Sequence, residues 1–137
     1  MNTRDVLPVS LLSTNYLSSL SSTAVPTAVD MANYFPVGRR EVLFVVTAAF
    51  GTTIGSNTQT VVIEECASTA TASFTTVKDY AGSSATWTTT ANSVPTSTFF
   101  YGVVNYRYLR ARYVGGGAAT GDFGILNVLA IPIIRAG

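Results

Sequence analysis

The run from Tyr106 to Tyr113, Tyr-Arg-Tyr-Leu-Arg-Ala-Arg-Tyr, carries the densest group of side chains that could bind a ligand. Alternate side chains of a β-strand share a face. The run therefore predicts a core-facing set, Leu109, Ala111 and Tyr113, and an opposite basic and aromatic set, Tyr108, Arg110 and Arg112. Interleaved Arg and Tyr can stack on nucleic-acid bases or anchor a protein interface. The net charge of only +1 attracts nucleic acid weakly. Two interpretations of the basic and aromatic set then stay open, a strand face in contact with water and a protein interface.

The carboxylates of the chain do not have the pattern of a catalytic site. The sequence contains no histidine, which excludes a Ser-His-Asp or Cys-His enzyme and removes the commonest general base. Glu64 and Glu65 are neighbours on a predicted strand, so they face opposite sides and cannot act as a pair. The inward one needs an arginine partner such as Arg107 or Arg110, since burying an unpaired carboxylate is unfavourable. We expect no enzymatic activity.

The single cysteine, Cys66, cannot form an intramolecular disulfide. A structural thiolate metal site uses about four Cys or His ligands, which this chain lacks. Free cysteine is most often a small buried apolar residue, and we predict that environment for Cys66. No metal and no cofactor are expected.

The length and composition favour one compact domain with few charges. The chain has 137 residues, of which 11% are charged, against about 25% in an ordinary soluble domain. Its most apolar stretch, residues 125–134, is about half as long as a membrane-spanning helix and contains Asn127 and Pro132. The apolar run near the start is too short for a signal peptide. We expect a protein made in the cytoplasm that enters no membrane.

Most of the chain has the pattern of short β-strands separated by turns. Residues 41–49 are apolar on both faces, which is typical of a strand covered on both sides. Further strands are predicted at residues 58–66, 74–78, 85–90, 97–104, 106–114 and 123–134. No segment repeats the apolar stripe of an amphipathic helix. The pattern predicts an all-β protein, an antiparallel β-sandwich of the jelly-roll type with about eight strands and an extended N-terminal arm.

The first 38 residues differ in character from the rest. They include a long uncharged, hydroxyl-rich stretch interrupted by Pro8 and Pro26. Such a segment has too little contiguous apolar surface to fold alone, so residues 1–38 are predicted to be an extended arm that is either disordered or laid along another surface. Residues near 24–31 could form an edge strand. The β-sandwich domain is predicted to span residues 39–137.

A succession of short motifs runs through the central and C-terminal parts of the chain. It comprises residues 28–31 leading to Gly38, then 41–47, 60–64, 73–77 and 107–113, followed by a glycine-rich loop and a final apolar strand. In this succession the chain resembles the small cement or decoration proteins of tailed-phage capsids, the jelly-roll group that includes the Bordetella-phage-type cement proteins. The long hydroxyl-rich arm departs from that pattern.

The resemblance implies a homo-oligomeric jelly roll that binds the exterior of an assembled capsid where major capsid proteins meet. The expected partners are the major capsid protein and further copies of this chain, with a trimer favoured over a dimer. Neither nucleic acid nor a membrane is an expected partner. The candidate interface residues are Tyr16, Leu17, Arg39, Arg40, Trp87, Tyr101, Tyr106, Tyr108, Arg110 and Arg112.

Two other functions fit the same sequence. Exposed aromatic side chains, among them Trp87, Tyr101, Tyr106 and Tyr108, could stack on sugar rings in a carbohydrate- or receptor-binding module of a virion fibre. A minor structural protein of the head-neck or tail would share the fold and the kind of partner. It would differ in the number of copies per particle.

Overall fold

The computed structural model describes residues 8–14, 27–34, 40–49, 59–69, 73–89, 96–115 and 125–133. In these ranges the chain forms β-strands and a short 3-10 helix, Met31–Asn33. The strands are β1 Val9–Thr14, β2 Val29–Asp30, β3 Arg40–Ala49, β4 Gln59–Cys66, β5 Thr75–Thr76, β6 Thr86–Thr89, β7 Thr96–Val104, β8 Tyr108–Gly115 and β9 Ile125–Pro132. Within the same ranges, no helix is long and apolar enough to cross a membrane.

The strands form two antiparallel sheets. The first sheet has the order β1-β9-β3-β7, and the second has the order β2-β8-β4-β5, with β6 also paired to β4. The pairs β1 with β9, β2 with β8, β3 with β7, and β4 with β5 and β6 nest inside one another like a long hairpin. Rolling up that hairpin brings β3 beside β9 and β4 beside β8. This pairing order is that of a jelly roll, so the predicted all-β antiparallel sandwich is confirmed.

The core lies between the sheets and is built from alternate side chains of each strand. The first sheet contributes Val42, Phe44, Val46, Val128 and Ala130, and the second contributes Val61, Ile63, Leu109, Ala111 and Tyr113. Phe44 packs against Phe100 with ring centroids 5.7 Å apart. The core-facing set predicted on β8 is thereby confirmed.

A connection over residues 77–85 joins the two sheets along one side. The backbone amide of Val77 donates to the carbonyl oxygen of Ile63 in the second sheet at 2.9 Å. The backbone amide of Val103, at the edge of the first sheet, donates to the carbonyl oxygen of Lys78 at 2.8 Å. The connection therefore hydrogen-bonds to β4 of the second sheet and to the edge strand β7 of the first sheet.

The strands predicted between residues 41 and 134 are all present, with ends that differ by no more than two residues. Two more strands come from the segment predicted as an arm. β1 pairs with β9 at the edge of the first sheet, and β2 falls within residues 24–31 and pairs with β8. The division of the chain at residue 38 stays a prediction, but these described parts of the arm lie against the sandwich. The register of β1 shifts between Ser10 and Leu12, which breaks the alternation that would have marked it as a strand.

Candidate functional site

The outer face of the first sheet is apolar at its centre. Because alternate residues of β3 face the core, the residues between them face outward, and the same alternation applies to β7 and β9. We define the apolar face as the outward side chains of two neighbouring rows: Leu43, Val45, Phe99, Tyr101, Leu129 and Ile131. Phe99 is 62% exposed and Tyr101 is 60% exposed. A sheet face in contact with water usually carries polar side chains, so this face has the composition of a contact surface.

Strand register gives the apolar face a polar row at one end and a row with one charged side chain, Glu41 opposite the buried Val103, at the other. Its two rows are Val45 with Phe99 and Leu129, and Leu43 with Tyr101 and Ile131. The next row consists of Thr47, Ser97 and Asn127, and the Thr47 and Ser97 hydroxyl oxygens lie 3.4 Å apart. At the opposite end, Glu41 is the one charged group among the described outward side chains of β3, β7 and β9. An apolar centre with a polar rim is the usual anatomy of a protein interface.

A pocket of about 480 Å³ opens beside the apolar face, lined by Glu41, Tyr80, Tyr101 and Ile133. Tyr80 belongs to the 77–85 connection, and its hydroxyl donates a hydrogen bond to the Glu41 carboxylate. The Tyr80 side chain is 65% exposed. Two phenol rings can pack against the apolar face of a ligand ring, and the phenol and carboxylate oxygens can accept hydrogen bonds from the substituents of that ligand.

The outer face of the second sheet carries two arginines that share one carboxylate. Arg110 Nε donates to Glu64 Oε2 at 2.7 Å, and Arg112 Nε donates to Glu64 Oε1 at 2.9 Å. Strand register places Glu64 directly opposite Arg110. The guanidinium carbon of Arg110 lies 3.5 Å from the centroid of the Phe74 ring, a cation–π contact. We call Arg110 and Arg112 the arginine pair; with Glu64 they keep one net positive charge.

Glu65 faces the other side of β4 and stabilises the turn between β7 and β8. Its Oε2 accepts hydrogen bonds from the backbone amides of Asn105 at 2.7 Å and Tyr106 at 3.0 Å. Arg40 Nη2 donates to the Tyr106 carbonyl oxygen at 3.2 Å. These contacts hold Tyr106, which is 45% exposed, at the tip of the turn.

The predicted pairing of the inward glutamate with Arg107 or Arg110 is wrong. Glu65 is the inward one, and the amides of the adjacent turn satisfy it. Arg110 pairs with Glu64 on the other face, and Arg107 pairs with Asp30. Glu65 lies near the end of β4, beside a turn whose backbone amides have no strand partner. Those amides donate to the Glu65 carboxylate, so it needs no arginine.

The ion pair between Arg107 and Asp30 fixes the start of β8 to β2. Arg107 Nη2 lies 2.6 Å from Asp30 Oδ2, and Arg107 Nε donates to Asp30 Oδ1 at 2.8 Å. The hydrogen bond from Arg107 lowers the pKa of Asp30 from its ordinary value and raises the pKa of Arg107. The Arg107 guanidinium also lies 5.3 Å from the centroid of the Tyr108 ring. The basic strip predicted along β8 is therefore largely paired with carboxylates.

The structure separates the sequence-predicted interface residues. Tyr108, Arg110 and Arg112 lie together on the outer face of the second sheet, Arg40 and Tyr106 meet at the β7–β8 turn, and Tyr101 lies on the first sheet. The Trp87 backbone pairs with Val61 of β4, and its side chain falls outside the described parts of the structure. Arg39, Tyr16 and Leu17 also lie outside the described residues.

Sequence reasoning missed most of the apolar face. Phe99 and the outward aliphatic side chains of β3 and β9 were not predicted as contact residues, and neither was Tyr80 of the neighbouring pocket. The signal that could have found them is the apolar pattern of residues 41–49 on both strand faces. One of those faces packs on the core, and the other forms part of the apolar face.

The described residues show a buried thiol and no cluster that could bind a metal. In these ranges, no group of three or more Cys, Asp or Glu side chains lies close enough to hold a metal ion. Cys66 is 1% exposed, and burial raises the pKa of its thiol. The prediction that Cys66 is a small buried residue is confirmed.

Comparison of the sequence with protein-family models and with curated proteins finds no match.

Proposed function

We propose that this protein is a viral structural protein that binds the outer surface of an assembled capsid and stabilises contacts between major capsid proteins. The observation that carries the proposal is the apolar face. Two rows of aliphatic and aromatic side chains, led by the exposed Phe99 and Tyr101, form a sheet face suited to contact with another protein. Exposed patches of this kind mark interaction sites in soluble proteins.

The size of the apolar face favours attachment in many copies over a single tight contact. Three neighbouring strands about 4.8 Å apart, with outward side chains about 6.8 Å apart along each, give a footprint of about 300 Å² when the border rows are included in part. A standard stable interface buries about 800 Å² per partner. One such contact is weak, but contacts on a repetitive shell reinforce each other through effective concentration.

The fold and the charge distribution support the same proposal. Jelly rolls are common among capsid proteins, and the sequence resembles the cement group in its strand motifs. The outward positions of β3, β7 and β9 carry one charged side chain among the described residues, Glu41. Interface cores are depleted of charge in the same way. Binding only the assembled shell would stabilise the shell by mass action.

The proposal is tested by adding purified protein to expanded shells that lack it and measuring co-sedimentation and the temperature of DNA release. We expect the protein to sediment with the shells and to raise that temperature. The variant Phe99→Ser/Tyr101→Ser should lose binding. Truncating an aromatic side chain at the centre of an interface costs about 2 kcal/mol, or about 30-fold in affinity per residue.

Tyr34→Ser is the matched control, because Tyr34 is 55% exposed and follows the 3-10 helix, outside the apolar face. It should bind like the wild type. Failure of the wild-type protein to co-sediment contradicts the proposal, and equal loss in both variants contradicts the role of the apolar face.

The oligomeric state and the copy number complete the proposal. Light scattering of the purified protein measures its free oligomeric state. A trimer supports the state that the resemblance implies, a dimer contradicts it, and a monomer means that any oligomer forms only on the shell. Quantitative gels of virions give the number of copies per particle. A high number supports a decoration protein of the capsid exterior, and a few copies support a minor head-neck or tail protein.

The pocket favours a second candidate function, a carbohydrate-binding module of a virion fibre. Tyr80 and Tyr101 offer aromatic rings, and Glu41 offers acceptor oxygens for sugar hydroxyls. A glycan array tests this function directly. Binding that is lost in Tyr101→Ser supports it, and an array without hits removes it.

A further inference from the structure

The arginine pair has hydrogen-bonding capacity that the described residues do not use. Each guanidinium donates to Glu64 through Nε, and neither makes a hydrogen bond through Nη to a described residue. An arginine carries five N–H donors in a planar fork, four of them on the two Nη atoms. One carboxylate neutralises only one of the two cations, so the cluster keeps a positive charge and unused donors.

Arg110 and Arg112 are also held in place before any ligand arrives. Glu64 is buried, and its two oxygens bind one guanidinium each. The Phe74 ring packs against the Arg110 guanidinium, whose carbon lies 3.5 Å from the ring centroid. The two arginine side chains nevertheless remain 21% and 32% exposed. A side chain that is already ordered loses less entropy on binding, so this cluster is preorganised for a ligand at its outer edge.

We propose that the Nη edges of Arg110 and Arg112 bind a carboxylate presented by an acidic side chain of a partner protein. A planar two-oxygen anion matches the arginine fork. Two oxygens of a tetrahedral phosphate can also bind the fork, but binding a nucleic-acid backbone depends on many cations. Here Arg107 is neutralised by Asp30, and one net charge remains on the cluster. A single carboxylate matches that charge.

This inference deepens the proposed function, because it rests on that function for the identity of the partner as a capsid chain. The arginine pair lies on the second sheet and the apolar face on the first. A neighbour bound through the arginine pair is therefore a second one, on the opposite side of the sandwich.

The test uses the purified full-length protein, so its outcome does not depend on the shells. N-acetyl-aspartate amide is titrated while the arginine Nε–H signals are followed by NMR, with N-acetyl-asparagine amide as the neutral probe. We expect the Arg110 and Arg112 signals to shift with a dissociation constant on the order of 10 mM for so small a ligand. The asparagine probe should produce no shift. Dimethyl phosphate forms a separate arm and should bind more weakly.

Arg112→Lys keeps the charge but removes the planar fork, and should weaken binding of the aspartate probe about tenfold. Arg107→Lys is the matched control: it alters an arginine already paired one-to-one with Asp30, and should leave binding unchanged. No shift at saturating probe, equal shifts at Arg107, or tighter binding of dimethyl phosphate would each overturn the proposal. A bound probe together with absent co-sedimentation would reject the capsid function and keep the carboxylate site.

Discussion

Adding one methyl group at Gly102 should destabilise the sandwich through its core. Gly102 lies on β7 between the outward side chains of Tyr101 and Val103, and its own missing side chain would face inward. A Cβ at this position would lie 2.7 Å from the Phe44 ring and 2.7 Å from a methyl carbon of Val77. Carbon atoms in contact normally lie about 3.5–4.0 Å apart, so Gly102→Ala forces a fully buried ring or β7 to move.

Overpacking of this kind typically costs about 1–3 kcal/mol. For 137 residues, an unfolding entropy of about 2.1 cal/mol/K per residue gives about 0.29 kcal/mol/K in total. Gly102→Ala should therefore lower the Tm by about 3–10 °C. Differential scanning calorimetry measures this shift, and urea unfolding measures the change in free energy at 25 °C.

A double-mutant cycle separates the clash from other causes. Phe44→Leu removes the ring carbon that the new methyl meets, so Gly102→Ala should be less destabilising by about 1 kcal/mol in that background. Gly82→Ala serves as the control. Gly82 has φ +85°, and nothing lies within 4 Å of the position that an added methyl group would occupy, so its effect is backbone strain and should add to that of Phe44→Leu. An unchanged Tm in Gly102→Ala, or strict additivity with Phe44→Leu, refutes the packing argument.

Three further predictions concern buried or paired polar groups. Tyr113→Phe should raise stability by about 1 kcal/mol in urea unfolding, because the buried hydroxyl has no hydrogen-bond partner among the described residues. Burial raises the pKa of Tyr113 to about 12, above its ordinary value of 10.0, so the unfolded state releases the phenol proton first and stability falls as pH rises from 10 toward 12; the Phe variant should lack that fall. Asp30→Asn should remove a stabilising contribution that is present above pH 3.8 and lost in more acidic solution, because Arg107 lowers the pKa of Asp30 in the folded state; unfolding midpoints between about pH 2 and 6 measure it. Glu65→Gln should destabilise the fold by about 2 kcal/mol and speed hydrogen exchange at the amides of residues 105–106, since those amides lose a charged acceptor.

The sequence predicted the elements whose signal is local. The strands after residue 40 were recognisable from apolar runs and turns, and the alternation on β8 placed Leu109 and Ala111 in the core. β1 was not recognisable because a register shift interrupts its alternation. Strand order in the two sheets depends on pairings between distant residues. The number and spacing of the strands favoured a jelly roll but did not give the individual pairings.

The candidate site was harder to predict, because it depends on which strands become neighbours. Phe99 joins the apolar face only when β7 pairs with β3 and places it beside Val45. Glu64 meets both Arg110 and Arg112 only through the pairing of β4 with β8. Residues 41–49 did carry a local signal, their apolar character on both faces. That signal indicated that both faces of the strand are buried against other groups. It did not indicate what packs on the face that points away from the core.

The two outer faces of a sandwich cannot contact the same flat neighbour. The sheets of a sandwich pack about 10 Å apart, and their outer side chains point in opposite directions. The apolar face contributes buried area to a contact but does not fix the orientation of the partner, because hydrophobic contact is non-directional. The arginine pair offers a directed contact through a planar fork with little apolar area.

A chain that uses both faces therefore touches two neighbours at once, one through Phe99 and Tyr101 and the other through Arg110 and Arg112. Two weak contacts on one rigid body reinforce each other only when both neighbours are held at fixed spacing. An assembled shell provides that spacing and free subunits do not, which gives a physical reason for such a protein to prefer the shell.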